Sequence, residues 1–423
     1  MALREAEGLN RLCLLGIRPA INWGFRAARL RHISLMRNVG LNENRPVWGE
    51  AGEDDAVREN TPILPRLTTS IDADVCVIGL GGSGLACIDE LLQAGTHAKR
   101  VVGLDADAVG SGAAGRNGGF LLAGTADFYH DAVKKFGHDR ARRLYELTID
   151  QIDEMATAMP ETVRRTGSLR IASSEEERAD CAEHLAALRA DGFPGEAYSG
   201  SEGDGLLVPT DCAFDPLRRV RAMACRVASL GARLFEHSAV VDITPGEVVS
   251  REGRVRCERV IVAVDGRLTD ILPELEPRVR AVRLQMLATA PTTEISVPRP
   301  VYARWGYDYW QQLADGRLVL GGFRDLGGDE EWTDSATPSE RVQGELERFL
   351  REKLCVRAPI THRWAATVSY STSDLPVLEE VRPGVVATGA YSGTGNVLGA
   401  LCGRGAARLA LGERSEITRL LAA

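Results

Sequence analysis

Residues 74–84 read Asp-Val-Cys-Val-Ile-Gly-Leu-Gly-Gly-Ser-Gly, an apolar run that ends in Gly79-x-Gly81-x-x-Gly84. The residues before the first glycine have the pattern of a short buried strand, and Leu85, Ile88, Leu91 and Leu92 after the last glycine recur at helical spacing. Gly79 allows a tight turn, Gly81 lets the backbone approach a pyrophosphate, and Gly84 lets the helix pack on the strand. Gly82 and Ser83 complete the turn, and the helix N-terminus faces the phosphates. A second apolar run, Val101 to Leu104, ends in Asp105, 21 positions past Gly84 and followed by Ala106. An acid there accepts hydrogen bonds from an adenosine ribose and disfavours a 2′-phosphate. Strand, helix, second strand and terminal acid are all in register, so the stretch is a dinucleotide fingerprint in its full context.

The chain has 423 residues, enough for two or three domains and a large core. Hydrophobic residues make up 44% and charged residues 26%, as in ordinary globular proteins. A net charge of -8 provides no overall basic field, which argues against nucleic acid as a partner. The nine cysteines show no Cys-x-x-Cys spacing, and no zinc signature is present, so no metal site is expected. Buried thiols of this kind belong in a reducing compartment, and a cytoplasmic location is the expectation. No apolar run reaches the roughly 18 residues that span a bilayer. The first forty residues, however, carry seven arginines against Glu5 and Glu7. Such a charge pattern suits a presequence or a membrane-surface helix, which leaves a mitochondrial or peripheral membrane location as the alternative.

Along the chain, residues 49–65 look like an acidic linker. Residues 74–125 read strand, helix, strand and glycine-rich loop. Helical periodicity follows over 132–159 and 175–190, and an amphipathic helix spans 216–230. Three short strands across 233–264 read as a β-meander, and strand-rich sequence continues through 279–323, with a helix at 340–354. A strand at 362–370, another at 384–389 and a last helix to Leu411 close the pattern. Pieces of α/β type at both ends bracket long antiparallel material, which is the organisation of a discontinuous nucleotide domain with an inserted second domain.

After Asp105 the chain continues through Ser111-Gly112-Ala-Ala-Gly115-Arg116-Asn117-Gly118-Gly119. So many glycines suit a loop whose backbone crosses a planar ring and a pyrophosphate closely. The pentad at 115–119 resembles the second motif of the D-amino-acid-oxidase and glycine-oxidase superfamily of FAD amine oxidoreductases, most of all the γ-glutamylputrescine-oxidase type. Further segments agree in order: Phe214-Asp215-Pro216, the meander ending at Val264, the Asp315-Gly316-Arg317-Leu318 hairpin with Gly321-Gly322, and Asp374-x-Pro376 ahead of Ser392-Gly393-x-Gly395. The resemblance covers roughly residues 70–412.

The resemblance implies α/β plus α+β architecture: an FAD-binding Rossmann-like domain of the glutathione-reductase type at 70–125, 205–266 and 380–423, and an antiparallel-sheet substrate domain at 126–204 and 267–379, behind an arm and linker at 1–69. It implies that Asp105 binds the adenosine ribose, that Val241 flanks the adenine, and that residues 111–119 wrap the pyrophosphate and isoalloxazine. The loop Gly393-Thr394-Gly395-Asn396 opens a helix and would direct N–H groups at the flavin N1/C2 carbonyl. The chain departs from the pattern in having Ala114 where many relatives have serine, and Ala263-Val264-Asp265-Gly266 in place of Ala-Thr-Gly. No cysteine lies between Cys355 and Cys402, where the sarcosine-oxidase branch carries its covalent anchor, so FAD is expected to be non-covalent.

On the substrate side, Tyr307, Tyr309 and Trp310 lie on one expected strand, with Arg304 before them and Arg324 on the paired strand. Aromatic residues there would cage an amine, and a guanidinium would clamp a carboxylate. Tyr309 and Arg324 are the expected catalytic pair; Arg304, Tyr307, Trp310, Tyr370 and Tyr391 are the expected substrate contacts. The activity implied is oxidation of an amine or amino acid to an imine by hydride transfer to flavin N5, with oxygen or a quinone or other electron carrier as acceptor. A flavoprotein acting on a 2-hydroxy acid, and a non-catalytic flavin-binding subunit, are the alternatives. The four lysines, Lys99, Lys134, Lys135 and Lys353, are expected to lie away from the ring.

Overall fold

A computed structural model describes residues 44–49 and 64–422. The arginine-rich first forty residues lie outside the described residues. Among the described residues no helix is long and apolar enough to cross a membrane.

The fingerprint builds a six-stranded sheet in the order Arg233–Phe235, Val101–Leu104, Val75–Ile78, Arg259–Val262, Val385–Gly389, Val377–Arg382. All pairings are parallel except the last. Strands buried on both faces must be apolar throughout, and Val75–Ile78, Val101–Leu104 and Val385–Gly389 are buried at every position. The helix Gly82–Gln93 covers one face and packs on Leu398–Ala410 and Pro216–Ser229. Small residues let the first two helices approach: a Cβ at Gly403 would lie 2.1 Å from the Ser83 carbonyl oxygen.

The second layer is an eight-stranded sheet in the order Ile360–Ser371, Val279–Thr289, Leu318–Gly322, Asp308–Gln312, Val301–Ala303, Ser168–Ile171, Gly203–Val208, Glu196–Gly200. Its outer face is closed by the helix Glu340–Glu352, whose Val342, Leu346 and Leu350 share a core with Trp310, Leu318 and Leu320. On its inner face one row of cross-strand partners runs Arg170, Tyr302, Tyr309, Gly321, Met286, Trp364. Arg170, Tyr302, Tyr309 and Met286 of that row form the roof of the site over the turns of the six-stranded sheet.

Several elements differ from the sequence reading. The helix expected over 132–159 is two, Tyr129–Phe136 and His138–Ala158, broken at Gly137 with φ +84°. Apolar spacing continues across the break and hides it. The meander divides: Arg233–Phe235 and Arg259–Val262 join the parallel sheet, while Val240–Thr244, Glu247–Ser250 and Arg254–Arg256 form a small sheet with Ser70–Asp72. The polar strands Glu196–Gly200 and Gly203–Val208 extend the large sheet, so the domain border expected at 205 falls inside a strand of that sheet.

Because backbone meets backbone at Gly403, Gly403→Ala should destabilise the protein by about 1–3 kcal/mol, the usual cost of overpacking. Thermal unfolding checks this, and an unchanged melting temperature would mean the two helices have room to part.

Candidate active site

The two sheets border a cavity of about 1620 Å³, lined by the fingerprint, the glycine-rich loop, the C-terminal loop and Arg170, Tyr302, Tyr309 and Met286 of the inner row. That exceeds the roughly 300–1,000 Å³ of a pocket built for one drug-sized ligand. At one end Gly79 turns with φ +98°, and a Cβ there would lie 2.5 Å from the Ala263 carbonyl oxygen. Gly84 is closed off by the Gly79 carbonyl at 1.9 Å. The helix that follows has no side-chain cap at Gly81, which leaves its first N–H groups for an anion. Asp105 accepts from Leu80 N at 2.8 Å and from Asp107 N at 3.0 Å, and burial pushes its carboxyl up to about 6. Gly79, Gly81, Gly82, Ser83, Asp105, Ala106, Ser111, Gly112, Arg116, Asn117 and Gly118 all line the cavity, whereas Gly84, Gly115 and Gly119 lie behind it as packing glycines. A Cβ at Gly115 would meet the Gly110 oxygen at 2.2 Å, and one at Gly119 the Phe214 oxygen at 2.5 Å.

The polar side chains of the loop brace the site. Arg116 Nη1 donates to Ala365 O at 2.8 Å and to Asn44 Oδ1 at 3.1 Å, so its guanidinium is held against the protein wall. Asn117 Nδ2 donates to Ala113 O and Ala114 O, both at 3.1 Å, while its Oδ1 accepts from Gly119 N at 2.9 Å and Asn396 Nδ2 at 3.2 Å. This pair joins the loop to the C-terminal segment Gly393, Thr394, Gly395, Asn396, all of which line the cavity. Among the described residues the N–H groups of Gly395 and Asn396 have no protein partner, as an electrophilic helix opening requires. Asp265, with φ +35°, supports that segment by accepting from Ala390 N at 2.8 Å and from Tyr391 N and Ser369 N at 3.4 Å. Burial raises its carboxyl to about 6. The departure from Ala-Thr-Gly at 263–266 was the sequence signal for this acid.

At the roof, Tyr309 stacks on Tyr302 with centroids 5.6 Å apart, and Phe120 meets both edge-on. Arg324 lies over three rings, Tyr370 at 4.9 Å, Trp332 at 5.2 Å and Tyr307 at 5.5 Å, and Arg280 covers Trp332 at 4.5 Å. No carboxylate among the described residues pairs with Arg324, and Arg324, Tyr307, Tyr309 and Tyr370 all line the cavity. Trp332 and Arg280 were missed by sequence reasoning. Trp332 follows an acidic turn with no periodicity, and Arg280 is recognisable only through its register with Tyr370.

Five expectations are corrected. Arg304, with φ +49°, gives its guanidinium to Asp308 at 2.7 Å and to Asp325 at 2.9 Å and does not line the cavity. Trp310 faces the other side of the sheet, where it packs on Phe349 at 5.3 Å. Tyr391 borders the cavity, but its hydroxyl donates to Ser83 Oγ at 2.8 Å and meets Thr388 Oγ1 at 3.0 Å, so it ties two loops together and is spent. Val241 is 59% exposed; its neighbour Val240 lines the cavity, a slip of one residue that reverses the face of a strand. Arg324 also differs in setting, since it opens the short helix Arg324–Gly327 after Phe323 at φ +60°. Lys134 and Lys135 border the cavity, paired with Asp131 and Glu183 and with Asp127 and Asp374 respectively.

Residues 74–409 match the family described as FAD dependent oxidoreductase, DAO. The chain belongs to the DAO family of FAD-dependent oxidoreductases. It is 28% identical over 383 residues to the gamma-glutamylputrescine oxidoreductase of Escherichia coli K12, covering 82% of this chain and 85% of that one. To the probable oxidoreductase OrdL of Rhizobium meliloti it is 26% identical over 403 residues, 86% and 89% of the two chains. The glycine oxidase of Geobacillus kaustophilus has the same fold, with a TM-score of 0.69 at 18% identity, covering 82% of this chain and 96% of that one. The glycine-lined cradle, the uncapped helix and the acid at the second strand's end fit FAD. None of the described cysteines lines the cavity.

Apoprotein affinity for FAD should fall roughly tenfold between pH 7.5 and 5, because the Asp105 carboxylate, the better acceptor, is lost below its raised pKa. Asp105→Asn should bind more weakly at pH 7.5 and lose most of this dependence, the remainder belonging to Asp265. Titration of apoprotein with FAD at both pH values measures it; a dependence that survives intact in the variant would place the titrating group elsewhere.

Proposed function

We propose that the protein oxidises the C–N bond of an amine or amino acid to an imine, which water then hydrolyses. The observation that carries this reading is Arg324, a guanidinium without a carboxylate partner among the described residues, fixed by three aromatic rings over the same cavity as the FAD cradle. A planar fork held in a desolvated setting binds a carboxylate through two parallel hydrogen bonds. The chemistry FAD supplies when bound is a two-electron acceptor for the hydride leaving the carbon beside nitrogen.

The chain's own residues bind and orient. The adenosine end is assigned to Asp105 and the 79–84 turn, the pyrophosphate to the helix Gly82–Gln93 and residues 111–112, and the ring to residues 116–118 and 393–396. Leu284, Met286, Tyr302 and Tyr309 give the reacting end an apolar wall. Such a wall disfavours an ammonium and favours the neutral amine, whose lone pair must be free as the C=N bond forms. Tyr302 and Tyr309 stay protonated, since burial raises both phenols, the first to about 12. They serve as neutral donors, so no strong base is required. Lys134 and Lys135 are held in ion pairs at the exposed rim, which leaves neither free to assist oxygen at the ring.

Replacing Arg324 by methionine keeps bulk and removes charge. For amino-acid substrates kcat/KM should fall about 10- to 100-fold, the cost of hydrogen bonds to a charged group, while simple amines of similar length should change little. Steady-state kinetics on both substrate classes decide; equal losses for the two would remove Arg324 from carboxylate binding.

Protein reduced anaerobically by substrate should be reoxidised faster by a quinone or dye than by dissolved oxygen. Stopped-flow mixing with each acceptor tests this, and rapid oxygen kinetics with stoichiometric hydrogen peroxide would identify an ordinary oxidase.

A further inference from the structure

Four consecutive carbonyl groups of the loop at 116–119 are held by protein donors. Trp364 Nε1 donates to Arg116 O at 2.8 Å, Trp48 Nε1 to Asn117 O at 3.0 Å, Gln311 Nε2 to Gly118 O at 2.5 Å, and Phe214 N to Gly119 O at 2.9 Å. Both indoles are buried, and neither lines the cavity, whereas Arg116, Asn117 and Gly118 do. The carbonyls are thus drawn toward the protein.

A trans peptide is planar and points its N–H opposite to its C=O. Anchoring Arg116 O therefore turns the Asn117 N–H away from Trp364, and anchoring Asn117 O turns the Gly118 N–H away from Trp48. Among the described residues neither N–H has a protein partner, although most backbone donors in such half-buried settings do. Both are left for an acceptor in the cavity.

Trp48 is brought to this place by a short stretch of chain that precedes the family match. Asn44 Oδ1 accepts from Arg116 Nη1 at 3.1 Å and from Ala365 N at 2.9 Å, and Asn44 O accepts from Arg116 Nη2 at 2.5 Å. Asn44 Nδ2 donates to Ala336 O at 2.8 Å, and Val47 is wholly buried. The stretch thereby grips the loop twice, by the side chain of Arg116 and by the backbone of Asn117. Nothing in the fingerprint or the pentad requires it.

We propose that Trp48 and Trp364 are positioning residues of the cofactor site: their indole N–H groups orient two peptides so that the N–H groups of Asn117 and Gly118 donate to acceptor atoms of the FAD ring system, and residues 44–48 are a strap that completes the site. The proposal rests on the cavity being the FAD site and is independent of which amine is oxidised. Donors aimed at the ring stabilise the charge it takes up on reduction, so disordering them lowers its reduction potential.

The test uses full-length protein loaded with FAD, in the variants Trp48→Phe, Trp364→Phe and Asn44→Ala. The readouts are the visible absorption spectrum of the bound flavin and its redox equilibrium with a reference dye. Trp48→Phe keeps an aromatic ring at the position but removes the donor together with part of the buried indole's bulk. It should retain FAD, shift the visible bands, and move the dye equilibrium about threefold to tenfold toward oxidised flavin, as expected for one weakened hydrogen bond. Asn44→Ala, which frees the other end of the strap, should shift both readouts in the same direction, and it provides the answer if either tryptophan variant fails to fold. A wild-type spectrum and dye equilibrium in Trp48→Phe and Asn44→Ala, with only a lower melting temperature, would make the strap a packing element and overturn the proposal.

Discussion

The structure depends on backbone lying against backbone with no side chain between. Gly84 sits on the Gly79 carbonyl, Gly115 on that of Gly110, and Gly403 on that of Ser83. Each contact brings a turn or a helix closer than any Cβ would allow, and together they shape the cradle from peptide groups. Once peptide groups form the wall, their orientation becomes the main chemical variable. The polar side chains of Arg116, Asn117, Asp265 and Asn396 act accordingly, holding loops in place for whatever the peptides face.

The two sheets divide the work. The six-stranded sheet contributes turns at the ends of its strands, and its chemistry is mostly backbone. The eight-stranded sheet and the segments that follow its strands contribute side chains, with Tyr302 and Tyr309 between Arg170 and the region of Arg280 and Arg324. A ligand in the cavity is thus gripped by peptide donors on one side and by rings and guanidinium groups on the other.

What was legible in the sequence follows the same division. A backbone cradle is written in glycine, and the motifs at 79–84 and 115–119 announced themselves because at Gly79, Gly84, Gly115 and Gly119 a Cβ would collide with backbone. Side-chain function on a strand is written only as parity, and parity is fragile. Val241 was named where Val240 faces the cavity, and Trp310 was named although it lies on the opposite face from Tyr309. Arg304 and Arg324 looked alike in sequence. Asp308 and Asp325 neutralise the first while three rings surround the second, and no spacing rule reports that difference. Trp48 lay beyond any motif, just ahead of the acidic linker and within the region 1–69 read as arm and linker.

The hydroxyl bond from Tyr391 to Ser83 spans 308 positions of the chain, and the bond between Asn396 and Asn117 spans 279. Loop closure of that length comes late, and during synthesis the fingerprint emerges long before its partners. The nascent chain therefore carries a half-built cradle, with the uncapped helix end and glycine turn exposed, until nearly all of it has left the ribosome. Final assembly is a meeting of two distant segments, and because both line one cavity, any ligand bound there would stabilise their meeting by mass action.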